Sequence, residues 1–265
     1  MIYSDKTEIK CDLSKKKIFI FDIDKTLAES KQTIESKMCL ILEKLMDKYP
    51  VALISGGKIE TYNDTYLKFL DVNETNLHLF PTSGSGYYRY EDGKQVKVYS
   101  KEIPSEERER ILDSFKKMLQ IVDYKFPEES YGEVLEDRGT QITFSALGQK
   151  APYYLKKVWD PKHEKRMPMQ RILQNMLPKY DVKIGGSTSV DVTMKGINKG
   201  YGINKITEYL GYEIDEMFFV GDDLSPVGND YPVHLEGVDC LHVSDHLQTY
   251  DFLHWLLYPT EYKSL

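Results

Sequence analysis

Apolar residues in this chain fall into short unbroken blocks, separated by longer stretches in which they recur every three or four positions. The first block, Ile18-Phe19-Ile20-Phe21, lies inside a strand expected over 17–23. A run of β-branched and aromatic residues without alternation fits a parallel-sheet strand covered on both faces. Met38, Ile41, Leu42 and Leu45 then mark one face of a helix over 35–49. The grammar repeats as a strand over 51–54, a helix over 58–70 and a strand over 77–80 that ends in Pro81-Thr82-Ser83-Gly84. Such alternation predicts a parallel, three-layer α/β core.

From Gly86 the texture changes. Tyr87-Tyr88-Arg89-Tyr90 and Val96-Lys97-Val98-Tyr99 flank Asp92-Gly93, a hairpin signal that reads as the start of an antiparallel insertion. The insertion is expected to reach about Met194, with helices over 105–122 and 163–176 and strands over 140–146, 182–184 and 189–193. Its charged run over 105–110 reads as a solvated helix face behind an N-terminal cap. A helix from Lys199, strands over 217–220 and 241–243 and a helix over 245–257 return the chain to the core. The expected fold class is α/β: a Rossmann-like parallel-sheet core, discontinuous over 1–84 and 195–265, with an α+β cap domain over 85–194.

Composition narrows the function classes. A chain of 265 residues can bury one large core or two modest ones. A net charge of -7 without a dense basic block argues against a nucleic-acid partner. Cys11, Cys39 and Cys240 are widely spaced and odd in number, which favours reduced thiols and a cytoplasmic location. Asp5, Lys6 and Glu8 stand where a signal peptide would be apolar, and no run approaches the ~20 residues of a membrane helix, so no membrane association is expected.

Candidate chemistry begins at Asp22 and Asp24, which arrive just as the first strand ends. Open α/β sheets bind ligands outside the carboxyl ends of their strands. Alternation points both acids to one side if the strand stays extended, and desolvating two like charges is costly unless a cation or proton compensates. A hard divalent metal would do so. Ser55-Gly56-Gly57 follows the second strand, Lys199 opens a helix, and Gly221-Asp222-Asp223 with Asn229-Asp230 follows the strand over 217–220.

These four pieces, in this order, resemble the motifs of the haloacid dehalogenase (HAD) phosphotransferase superfamily, in which a cap is inserted between the second and third. The resemblance implies that Asp22 is the nucleophile and forms an aspartyl-phosphate. It makes Asp24 the general acid and base, with Thr26 and the turn holding geometry. It implies Mg2+ held by Asp22, the main-chain carbonyl of Asp24 and acids of the Gly221 loop, Asp222 first and Asp230 second, with Asp223 as an alternative ligand or a loop cap. Ser55 would donate its hydroxyl to phosphate while Gly56 and Gly57 offer backbone N–H groups at the start of the next helix. Lys199 would neutralise charge, with Lys195 as its competitor.

Arg138-Gly139-Thr140, the run Gly185-Gly186-Ser187-Thr188-Ser189-Val190-Asp191-Val192 and the run over 221–230 resemble, more narrowly, eukaryotic-type phosphomannomutases with a C2B cap and related sugar-phosphate phosphatases. That implies substrate contacts from Arg138, Ser187, Ser189 and Asp191. The mutases' phosphate-gripping arginines are largely replaced: Lys31 stands for one, Gln149 beside Lys150 for another and Lys156 for a third. Lysine holds phosphate as a point charge and glutamine cannot neutralise it. The expectation is therefore a magnesium-dependent phosphatase acting on a small phosphorylated metabolite, a sugar phosphate first, with water as final acceptor. A phosphomannomutase is the alternative, and a non-catalytic ligand-binding protein on the same fold is the third reading. Self-association as a homodimer is left open.

Overall fold

The computed structural model describes residues 1–71, 76–127 and 131–259, apart from the side chain of Tyr153. It divides into two compact units, Met1–Ser100 with Asn198–Leu265, and Lys101–Ile197. The first is built on strands β1 (Ile2–Tyr3), β2 (Ile18–Phe21), β3 (Val51–Ile54), β4 (Leu77–Phe80), β5 (Gly86–Glu91), β6 (Lys94–Ser100), β11 (Met217–Gly221) and β12 (Asp239–His242). These form one sheet in the order β1-β12-β11-β2-β3-β4-β5-β6. Pairing is parallel from β1 to β4 and antiparallel from β4 to β6.

The unbroken apolar runs are explained by burial of both sheet faces. Phe19 and Phe21 of β2 face a cluster shared with Met38, Leu42 and Leu45 of the helix Ser36–Met46 and with Phe252 and Leu253 of the helix His246–Leu257. Ile18 and Ile20 face the opposite cluster, with Ile203 and Ile206 of the helix Lys199–Leu210. Alternate residues of one strand thus feed two cores.

The Asp92-Gly93 hairpin belongs to this sheet rather than to the insertion. β5 pairs with β4 through His78↔Arg89 and Leu79↔Tyr88, so the boundary expected at 84/85 moves to 100/101, and the return from 194/195 to 197/198. The gain is physical: the hairpin covers the open edge of the parallel strands and leaves Lys94 and Lys97 on the new edge strand. The expected helix over 58–70 is a short α-turn, Ile59–Thr61, that widens into a π-helical turn over Tyr62–Tyr66.

The second unit is a four-stranded antiparallel sheet in the order β7 (Leu135–Asp137), β8 (Gln141–Ser145), β10 (Ser189–Met194), β9 (Tyr180–Gly185). Helices Ser105–Ile121 and Arg166–Met176 share one core with Ile142, Phe144, Val190 and Val192 from one sheet face. Pro104 takes the N-cap position of the first helix and supplies no side-chain cap, and Ser105 is the first helical residue. His163 adopts φ +61°, which keeps the second helix from starting where the sequence suggests. β7 and the helix Tyr153–Trp159 were not expected; three residues and a charged, short segment give little periodic signal.

The sheet buries an imidazole. His78 on β4 is 8% exposed, with Nδ1 2.9 Å from the Tyr87 hydroxyl, and burial, with Arg89 acting in the same sense, pushes its imidazole from 6.5 down to about 4. The folded value lies below the unfolded one, so the stability tied to the neutral ring is complete above pH 6.5 and is lost as pH falls towards 4. The whole effect is about 3 kcal/mol. A His78→Gln variant should show a flatter melting-temperature profile across that window; an unchanged acid limb would locate the acid sensitivity elsewhere.

Candidate active site

β2 is the pivot of the sheet. The chain builds outward from it through β3 and β4 on one side and returns through β11 and β12 on the other, so the gap between β2 and β11 is a topological switch point. Asp22 is the first residue beyond β2 and Asp222 the first beyond β11. Asp230 reaches the same place from the following loop. A Cβ on Gly221 would collide with the Asp230 carboxylate, so only glycine lets that loop close.

Carboxylate oxygens of Asp22, Asp222 and Asp230 lie within 4.8 Å of one another. Lys199, 1% exposed at the start of its helix, donates to both Asp22 Oδ1 and Asp230 Oδ1. Burial alone would lower its ammonium, but Asp22 and Asp230 outweigh that and raise it. Thr26 Oγ1 adds a 3.4 Å contact to Asp22 Oδ2. Burial pushes the Asp22 carboxyl well above the usual carboxylate range; Lys199 opposes this, while Asp230, Asp24 and Asp222 reinforce it. Burial also raises Asp222, with Asp230 adding to it and Lys25 and Lys199 opposing. Three carboxylates at one point with a single buried ammonium leave negative charge uncompensated, and an oxygen-only donor set suits a hard cation. The residues present therefore fit a divalent metal.

The strand does not stay extended to Asp24, so the condition for Asp22 and Asp24 to share one side of it is not met. β2 ends at Phe21, and the Ile23 carbonyl accepts N–H groups from Thr26, Leu27 and Ala28, so Asp24 lies within a turn and the two acids do not continue one extended strand. Asp24 Oδ1 accepts the backbone N–H of Lys31, whose side chain is exposed, and its Oδ2 accepts the Tyr66 hydroxyl at 3.1 Å. Ser55 is buried at the end of β3 with its Oγ accepting the Gly57 N–H at 3.2 Å; Gly56 beside it is exposed. Asp223 is exposed and ties its own loop: Oδ1 accepts from Ser225 and Oδ2 from the Asn229 N–H. Lys195 is exposed and belongs to the second unit, whereas Lys199 belongs to the first and bonds to Asp22.

In the second unit, Ser189 and Asp191 share one face of β10 opposite Ser145 and Thr143 of β8. Arg166, buried against Asp160 at 2.9 Å, donates through Nη1 to the carbonyls of Gly185 and Gly186 and so fixes the turn that carries Ser187. Lys156 is 5% exposed and spends an N–H on the Gln149 carbonyl at 2.7 Å, while Gln149 Nε2 is buried with no hydrogen-bond partner among the described residues. Arg138 pairs with Glu136 at 2.8 Å and Lys150 is exposed.

The profile of the family described as eukaryotic phosphomannomutase matches residues 38–248. The chain belongs to the eukaryotic phosphomannomutase family, within the HAD superfamily. Relatives include the phosphomannomutase of Encephalitozoon cuniculi, 25% identical over 232 residues that cover 83% of this chain and 84% of that one. The phosphomannomutase of Saccharomyces cerevisiae is 25% identical over 226 residues, covering 83% and 85%. Among solved structures, Plasmodium falciparum IMP-nucleotidase aligns with a TM-score of 0.68 at 17% identity over 93% of this chain and 71% of that one. A haloacid dehalogenase-like hydrolase from Bacteroides thetaiotaomicron aligns with a TM-score of 0.61 at 15% identity over 91% and 99%. At these identities the structural likenesses show the fold. Sequence reasoning about this family member missed Lys25, whose Nζ lies 3.3 Å from Asp222, although it sits inside the first motif. It also missed Tyr66, which lies 42 positions from its partner Asp24 and carries no motif.

Proposed function

We propose that this chain is a phosphoryl-transfer enzyme of the phosphomannomutase type, interconverting hexose 1- and 6-phosphates through an aspartyl-phosphate on Asp22. The observation that carries the reading is the buried Asp22 at the sheet's switch point, held by Lys199 beside Asp222 and Asp230, in a member of this family. Asp22 would attack phosphorus in line as the bond to the sugar oxygen breaks, and Asp24 would hand that oxygen its proton. In the second half a sugar hydroxyl would take the phosphoryl group from Asp22 and lose its proton to Asp24. Asp22, Asp222 and Asp230 would hold magnesium, which when bound supplies the charge that lets an anionic carboxylate and an anionic phosphate approach. Lys199 would keep neutralising Asp22 as charge develops.

Hydrolysis, the expectation from the missing arginines, becomes the second reading. The family match and relatives named phosphomannomutase favour a sugar hydroxyl as acceptor. Hydrolysis keeps one supporting observation: Lys156 is buried and bonded to the Gln149 carbonyl, so the positions where arginines were expected offer a weaker grip on a second phosphate. Phosphorus NMR separates the two. With mannose 1-phosphate, magnesium and a catalytic amount of hexose 1,6-bisphosphate, mannose 6-phosphate should accumulate while free phosphate stays near background. Free phosphate as the dominant product would replace the mutase reading with the phosphatase.

A further inference from the structure

The geometry points to Tyr66 as the positioning residue of this site: its buried hydroxyl fixes the carboxylate of Asp24 for proton transfer to and from the sugar oxygen. The inference rests on the reading of Asp24 given above and goes beyond it. Both Asp24 oxygens are engaged, Oδ1 by the Lys31 N–H and Oδ2 by the Tyr66 hydroxyl at 3.1 Å. The two tethers also hold each other, because the Tyr66 carbonyl accepts the Ile34 N–H at 3.3 Å and so joins the loop of Lys31 to the turn of Tyr66.

Tyr66 is itself anchored. It is 2% exposed and closes the π-helical turn Tyr62–Tyr66, a conformation that recurs at functional sites. Its ring meets that of Tyr62 edge-on at 5.7 Å, and the Tyr62 hydroxyl donates to the Phe80 carbonyl at the end of β4 at 3.2 Å. A chain of fixed groups therefore runs from the sheet to one carboxylate oxygen. The Tyr66 phenol is the donor in this contact, and the carboxylate oxygen accepts. A hydroxyl buried only for packing has no need to end on the one acid assigned to proton transfer.

Tyr66→Phe keeps the ring and removes the tether. A carboxyl that acts in the transition state should lose kcat with little change in KM. The loss should be about 10-fold or more for mannose 1-phosphate, whose leaving oxygen needs a proton, and within about twofold for p-nitrophenyl phosphate, whose leaving group does not. In an Asp24→Asn background the same change should cost nothing further. Equal losses on both substrates, or no loss on either, would overturn the inference. If Asp24→Asn itself fails to discriminate between the two substrates, the reading of Asp24 fails instead. A crystal structure of Tyr66→Phe needs no turnover: the Asp24 carboxylate should be displaced or split, and an unmoved, single conformer would also overturn the role of Tyr66.

Discussion

Asp22→Asn is expected to abolish phosphoryl transfer, by at least ~10⁴-fold, while leaving the melting temperature equal or higher. An amide keeps the shape of the side chain and cannot accept phosphorus as a carboxylate does. Stability should not fall, because Asp22 sits where burial and three neighbouring acids already disfavour its charge. Removing one negative group from that cluster relieves repulsion, and Lys199 keeps Asp230 as a partner. Transfer from mannose 1-phosphate and a thermal melt on the same preparation test both halves of the statement. Undiminished turnover in the folded variant would remove Asp22 from the mechanism; a large fall in melting temperature would show that the carboxylate is needed for structure.

How far the sequence could be read depends on how local the determining forces are. β2, β3, β4 and β11 were legible because burial on both faces demands unbroken apolar runs, and such runs are contiguous in sequence. The ordered motifs likewise placed Asp22, Lys199, Asp222 and Asp230 as candidates before their proximity was known. The hairpin over 86–100 was recognised as a hairpin and put in the wrong unit, since an Asp-Gly turn specifies how two strands meet and not which sheet edge receives them. The π-helical turn was invisible for a related reason. Its apolar spacing is that of a helix, while the Tyr62 hydroxyl at its start is tied to carbonyls of β3 and β4 that are distant in sequence. For the same reason the sequence left open whether the chain stays extended as far as Asp24: the turn that starts at Ile23 is made of backbone hydrogen bonds.

Lys199→Met should lower stability by about 3–5 kcal/mol in metal-free buffer, the cost of leaving buried acids without their cation. Methionine keeps much of the apolar stem that packs in the core, so the change isolates the ammonium. Asp230 is 0% exposed and Asp22 is 4% exposed, and Lys199 is the group that joins them. Two routes of recovery follow. Asp22 already has a raised folded value, and losing the lysine raises it further, so the variant should regain stability as pH falls and the acid takes up a proton. A divalent cation that binds the folded site should also restore stability, rising with its concentration as mass action requires. On the proposed role of Lys199, turnover should stay low even with saturating magnesium, because the charge that neutralises Asp22 is gone. Melting curves of the parent and the Lys199→Met variant, with chelator and across a magnesium titration, would show a larger magnesium response in the variant. Equal responses, with no loss of stability in chelator, would mean that the lysine does not compensate these acids and that the cluster is neutral by other means.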